Sequence, residues 1–223
     1  MIILISQKTI VDKHGARQDA LDTAYLNFFK IADIFSQKAV FIPVPNNLEH
    51  AASLVDKIKP SLIILTGGNN VDPKLFGSDI MLGDLAPERD EVEKFLFDYA
   101  VANAIAVLGI CRGFQYMNVL LGGRLTLNIL DHPPAVGHTC LFEGHQHTVN
   151  SYHNQAIMPS DLASLLKPLV VAEKSGNIEA YAGKIKGKSG IAPILGVQWH
   201  PERPCADTDL FRTLIKQHLD LGV

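Results

Sequence analysis

Short unbroken apolar runs, separated by segments of helical periodicity, restrict this chain to very few architectures. Residues 2–6, 39–43 and 61–65 are apolar nearly throughout, the pattern of strands covered on both faces rather than strands with one wet side. Between them, residues 18–37 place Leu21, Tyr25, Phe28, Phe29, Ala32 and Phe35 at helical spacing, and residues 48–58 repeat the pattern with Leu48, Ala51, Ala52, Val55 and Ile58. This β-α-β-α-β rhythm predicts an α/β fold with a mostly parallel sheet and helices on both faces. A further helix is expected from about residue 91 to 103, with Asp90 as its N-cap and Val92, Phe95, Leu96 and Tyr99 on its buried face.

After Gly122-Gly123 the pattern changes. Residues 124–128, 139–142, 146–151, 170–173 and 178–182 read as shorter strands, which predicts antiparallel additions in the C-terminal half. Residues 184–190 read as an exposed Gly/Lys turn, 194–200 as one more apolar strand, and 207–219 as a closing amphipathic helix. No repeat, low-complexity tract or linker interrupts the 223 residues, so a single domain over residues 1–223 is expected.

Composition removes several function classes. A formal net charge of −3 supplies no basic field for a nucleic acid polymer. No apolar run approaches the ~18 residues of a membrane span, and the first six residues lack the basic start of a signal peptide. Three cysteines, Cys111, Cys140 and Cys205, make no disulfide framework and fit a reducing, cytoplasmic setting.

The chemistry concentrates at residues 104–115. An apolar run ends at Gly109 and passes through Ile110-Cys111-Arg112-Gly113 into a helical segment, residues 114–121. This is the layout of a nucleophile elbow with cysteine as nucleophile. Flanking glycines remove Cβ atoms that would clash in a strained turn, and the helix start favours thiolate and offers N–H groups to an oxyanion. A buried structural cysteine is the alternative. Among nine histidines, His200 stands out because it terminates an apolar strand, as Cys111 does, which places both at one edge of a parallel sheet. Glu202 lies two residues on, where an extended segment would turn both side chains the same way. Together they read as a nucleophile, a base and an orienting carboxylate.

Gly109-Ile110-Cys111-Arg112-Gly113-Phe114-Gln115 and Gly196-Val197-Gln198-Trp199-His200-Pro201-Glu202 together resemble the class I glutamine amidotransferase superfamily. Gly67-Gly68 with Val71-Asp72-Pro73, Arg89-Asp90, the segment 149–156 and Ile178-Glu179-Ala180 resemble its γ-glutamyl hydrolase branch, which includes γ-glutamyl-γ-aminobutyrate hydrolases. Asn69-Asn70 stands where an acidic residue is more usual. The resemblance implies a flavodoxin-like core, with Cys111 as nucleophile, His200 as base and then acid, and Glu202 as the orienting group. It further implies an oxyanion hole from the N–H groups of Gly68 and Arg112, and binding of the γ-glutamyl group by Gln115, Ser151 and Tyr152. The implied reaction is hydrolysis of a γ-glutamyl amide through a thioester, on a small-molecule substrate such as γ-glutamyl-γ-aminobutyrate or a larger amidate. The alternative is a glutaminase subunit serving a partner synthase, and a homodimer is compatible with either.

The remaining polar groups have plainer readings. His138, His145, His147 and His153, with Cys140, lack metal-binding spacing, so no metal is expected. His145 and His147 are expected on one strand face near the pocket. Gly67-Gly68 is no dinucleotide fingerprint, and no cofactor is expected. Lys8, Lys13, His14 and Arg17, just past the first strand, stand either at the rim of an outer pocket or in a solvated loop.

Overall fold

The computed structural model describes residues 1–35, 37–127, 129 and 135–221. In chain order the elements are β1 (Ile2–Ser6), β2 (Lys8–Val11), β3 (Arg17–Ala20), α1 (Thr23–Ile31), β4 (Val40–Val44), α2 (Leu48–Ile58), β5 (Leu62–Leu65), α3 (Pro87–Ala102), β6 (Ala106–Ile110), α4 (Arg112–Leu120), β7 (Thr126–Leu127), β8 (Gly137–Phe142), β9 (His145–Asn150), β10 (Gln155–Ala156), β11 (Leu166–Ala172), β12 (Ile178–Lys186), β13 (Ile191–Val197) and α5 (Thr208–His218). Asn128, the last residue of one expected strand, lies outside the described residues.

Among the described residues, nine strands form one sheet in the order β4-β1-β5-β6-β13-β12-β11-β8-β9. The first five are mutually parallel. Ranked along the chain they stand 2-1-3-4-5, the order of the flavodoxin-like core that the resemblance implies, whose ligand crevice opens at the carboxyl ends beside the switch point. The other four add on antiparallel, as the shorter C-terminal runs predicted. The apolar runs are continuous because each strand feeds two cores. Ile3 and Ile5 pack with Phe29 and Phe211 on one side of the sheet. Leu4, between them, packs with Val55 and Leu96 on the other.

Three expectations need correction. The first helix was expected from residue 18, but Arg17–Ala20 pairs antiparallel with Lys8–Val11 to make a hairpin. The Asp22 side chain accepts the Ala24 N–H at 2.9 Å and starts the helix at Thr23 instead. The hairpin is pinned to the loop after β5, because Thr9 N–H donates to Asn69 Oδ1 at 3.0 Å and Asn69 Nδ2 donates to Thr9 O at 2.8 Å. Secondly, α3 begins at Pro87, not residue 91. Proline is pre-organised for a first helical position, so Asp90 sits inside the first turn, buried, and caps nothing. Thirdly, β12 runs on through Lys186, paired with β13, and shortens the expected turn to its last few residues.

The crossing of β5 and α4 leaves no room for a side chain at Gly113. A Cβ there would lie 2.1 Å from the Leu65 carbonyl oxygen. Gly113→Ala is therefore expected to destabilise the fold by about 3 kcal/mol, since a backbone atom must move. Gly83→Ala, which meets nothing within 4 Å, is expected to stay within about 0.5 kcal/mol. Urea unfolding of the two variants checks the contrast; equal midpoints would refute it.

Candidate active site

Cys111 occupies the single residue between β6 and α4. Its backbone, φ 53° and ψ −103°, lies where a side chain is strained, and such conformations persist only when the surroundings dictate them. Here they do. Cys111 N–H donates to Val197 O at 2.8 Å, and Cys111 O accepts from Gln115 N–H at 3.1 Å. One bond ties the residue to β13 and the other to α4. The thiol is buried, 6% exposed, at the start of a helix.

His200 comes three residues after β13 ends, in a turn clasped by Asn150. The Asn150 side chain accepts the His200 N–H at 2.9 Å and donates to His200 O at 2.8 Å and Pro204 O at 2.9 Å. His200 Nδ1 and Glu202 Oε1 are 2.5 Å apart. This commits Nδ1 to the carboxylate and leaves Nε2 for chemistry. The ring is held by Tyr152, edge-on at 5.6 Å, and by Tyr25, whose hydroxyl lies 3.4 Å from Nδ1 and accepts the Gly67 N–H at 3.0 Å. Burial works against a charged imidazole, yet the Cys111 sulfur, as a charge and as a hydrogen-bond acceptor, and then Glu202 outweigh it. Together they push His200 up to about 10. The raised value favours the imidazolium form of His200 near neutrality.

Beneath the elbow lies a buried cluster of two cations and two carboxylates. The Arg112 guanidinium bridges Asp90 and Glu93. Arg89 Nε donates to Glu93 Oε1 at 2.8 Å, and its Nη2 donates to Thr66 O at 2.7 Å. Ser6 Oγ donates to Glu93 at 2.7 Å. Burial pushes the Asp90 carboxyl up to about 6 against the pull of Arg112, whereas the two arginines overcome burial and hold Glu93 below the usual range. The cluster joins α3 and α4 to the carboxyl ends of β1 and β5, so it fixes the elbow relative to the loop at Gly67.

Cys111 and His200 open into a cavity of about 240 Å³, lined also by Gly67, Gly68, Lys8, Asp22, Tyr152 and Arg203. Gly67 is pressed against the base, since a Cβ there would meet His200 Cε1 at 2.5 Å. Of the expected substrate contacts, Tyr152 lines the cavity. Gln115 and Ser151 are buried and do not line it, with Gln115 Nε2 donating to Gln155 O at 3.0 Å and Gln198 Oε1 at 3.2 Å. Among the residues proposed as a rim, Lys8 reaches the cavity, while Arg17 pairs with Glu88 at 2.5 Å.

His145 and His147 do not line this cavity, although Asn150 at the end of the same strand clasps the His200 turn. His147 lines a separate cavity with Cys205 and Asp207, pairing with Asp207 at 2.8 Å. β9 carries both histidines, as expected, and neither lines the cavity at Cys111. Among the described residues no three His, Cys, Asp or Glu side chains converge to hold a metal ion. No helix among them is long and apolar enough to cross a membrane. Asn150, Tyr25, Asp22 and Arg203 were not singled out from the sequence as site residues. Only Asn150 carried a signal, its place in the motif at 149–156.

Two measurements test this arrangement. Arg112→Met leaves Asp90 and Glu93 buried with one cation fewer, and is expected to cost about 3–5 kcal/mol in urea unfolding. Glu202→Gln removes a charge that favours imidazolium, so His200, followed by NMR of its ring protons, should titrate at lower pH than in the wild type. The linked stability follows the same sign. The His200 contribution is full below about 6.5 and is lost as pH rises through about 10. An unmoved titration in Glu202→Gln would exclude the coupling.

The Peptidase C26 family profile matches residues 1–141 and 138–202. The chain is 29% identical over 205 residues to a γ-glutamyl-CDP-amidate hydrolase of Campylobacter jejuni, covering 91% of this chain and 90% of that protein. It is 28% identical over 208 residues to a γ-glutamyl-γ-aminobutyrate hydrolase of Escherichia coli O157:H7, covering 78% of each. Its fold is similar to that of the glutaminase domain of Trypanosoma brucei CTPS with bound acivicin, with a TM-score of 0.62 at 15% identity, over 95% of this chain and 92% of that one. With a cysteine elbow at the sheet edge and a family profile spanning most of its length, the chain belongs to the Peptidase C26 family of class I glutamine amidotransferase-like hydrolases.

Proposed function

We propose that the protein hydrolyses the γ-glutamyl amide bond of a γ-glutamyl-amine metabolite, releasing glutamate and the amine through a γ-glutamyl thioester on Cys111. The observation that carries this reading is the shared cavity. A strained Cys111 faces a histidine whose Nδ1 is held 2.5 Å from Glu202, beside the Gly67-Gly68 loop. The names of the similar hydrolases support the substrate class.

The Cys111 thiolate adds to the γ-carbonyl carbon, forming the S–C bond and an oxyanion. Gly67 N–H is already given to Tyr25, so Gly68 is the donor of the glycine pair left for that oxyanion. Arg112 N–H, the first of α4 and without an intrahelical acceptor, is the second. The C–N bond breaks as His200 Nε2 hands its proton to the departing amine. Neutral His200 then takes a proton from water, hydroxide adds to the thioester, and the C–S bond breaks to return the thiolate and glutamate. Tyr152 bounds the acyl group in the cavity, and Gln115 and Ser151 hold the wall behind it.

Glutamate release from γ-glutamyl-γ-aminobutyrate, glutamine and larger γ-glutamyl amides tests the reading directly. The wild type should turn over at least one amide, and Cys111→Ala should lose on the order of 10³-fold or more in kcat. Turnover of glutamine alone, appearing only when a partner synthase is added, would replace the hydrolase with an ammonia-supplying subunit.

A further inference from the structure

The cavity carries three charged side chains outside the catalytic set, and two of them are already committed. Asp22 Oδ1 caps α1, and Asp22 Oδ2 accepts from Arg203 Nη2 at 3.1 Å. The Arg203 guanidinium also stacks on the Tyr152 ring at 4.8 Å. The third, Lys8, has no ion-pair or hydrogen-bonding partner for its ammonium among the described residues, although it lines the cavity. A cation left uncompensated beside a nucleophile raises the local concentration of anions and discriminates by charge.

The position of Lys8 relative to the reacting bond follows from the glycine loop. The leaving nitrogen must lie at His200 Nε2, because Nδ1 is held by Glu202. A Cβ on Gly67 would meet that same Nε2 at 3.0 Å, and a Cβ on the next residue, Gly68, would meet Lys8 Cβ at 2.8 Å and Cδ at 3.3 Å. The wall running away from the proton donor is therefore Gly67, Gly68 and then the Lys8 stem. Gln115 and Ser151, both buried, are not part of that lining. Resting on the hydrolase reading above, we propose that Lys8 is a specificity-determining residue that selects γ-glutamyl amides whose amine carries a terminal anion, a carboxylate or a phosphate.

The test compares γ-glutamyl amides of methylamine and of short amines ending in carboxylate, phosphate or ammonium. The wild type should prefer the anionic amides, and the ratio between carboxylate and phosphate identifies which anion is selected. Lys8→Met keeps an aliphatic stem against Gly68. It should lower kcat/KM for the anionic amides by roughly 10- to 100-fold, the worth of one charge-assisted hydrogen bond. The loss should fall in KM, with the methylamide changed less than about 2-fold. Lys8→Arg should retain the preference, and Lys8→Glu should move it toward the ammonium-ended amide. Equal losses on all four amides would overturn the proposal and return Lys8 to the glutamyl end or to loop support. Absence of turnover of any amide by the wild type would instead remove the hydrolase reading and this inference with it.

Discussion

The buried cluster of Arg89, Arg112, Asp90 and Glu93 is the interaction on which the site depends. Formally its two cations and two anions cancel, which is the condition for keeping four ionised groups out of water. Such a cluster adds little net stability over an apolar substitute. Its consequence is positional: Arg112 follows the nucleophile directly, and Arg89 grips the Thr66 carbonyl immediately before the glycine pair. The backbone at Cys111 and the backbone at the glycine pair are thereby tied through one set of side chains.

His200 is placed by a different device. His200 lies beyond the last residue of β13, so sheet pairing does not hold it. The Asn150 amide does so by bonding both sides of the turn, and Glu202 then fixes the ring. Strain at Cys111, a clasped turn at His200 and a glycine pressed against the imidazole are local violations of ordinary backbone and packing preference. They gather at one edge of the sheet because the parallel strands end there, and the flavodoxin-like order leaves a crevice beside them.

Much of this was legible along the chain. The runs at β1, β5 and β6 are apolar because both faces are covered, and that property is local enough to read directly. The elbow and the His-Pro-Glu segment were legible for the same reason, since each is a short contiguous pattern. The β2–β3 hairpin was not. Arg17, Gln18 and Asp19 are polar, and Leu21 and Tyr25 continue a helical period across the true boundary, so periodicity overran a start set by one capping aspartate. The start of α3 was missed because Arg89 and Asp90 in its first turn are buried yet charged. A sequence reader expects Asp90 and Glu93 to face water, and only the arrival of Arg112 from another element makes burial tolerable.

The sequence by itself determined the fold class and singled out Cys111, His200 and Glu202 as the candidate site residues, because apolar periodicity and contiguous motifs are properties of neighbouring residues. The tertiary structure alone decided which polar groups share the cavity. It brought Lys8, Asp22, Tyr25 and Arg203 to the cavity at Cys111 and kept His145 and His147 out of its lining. The physical reason is that the cavity's charge arises from side chains of elements distant in sequence. Ion pairing commits Asp22 to Arg203 across 181 positions and, among the described residues, leaves Lys8 uncompensated, an outcome no local pattern encodes.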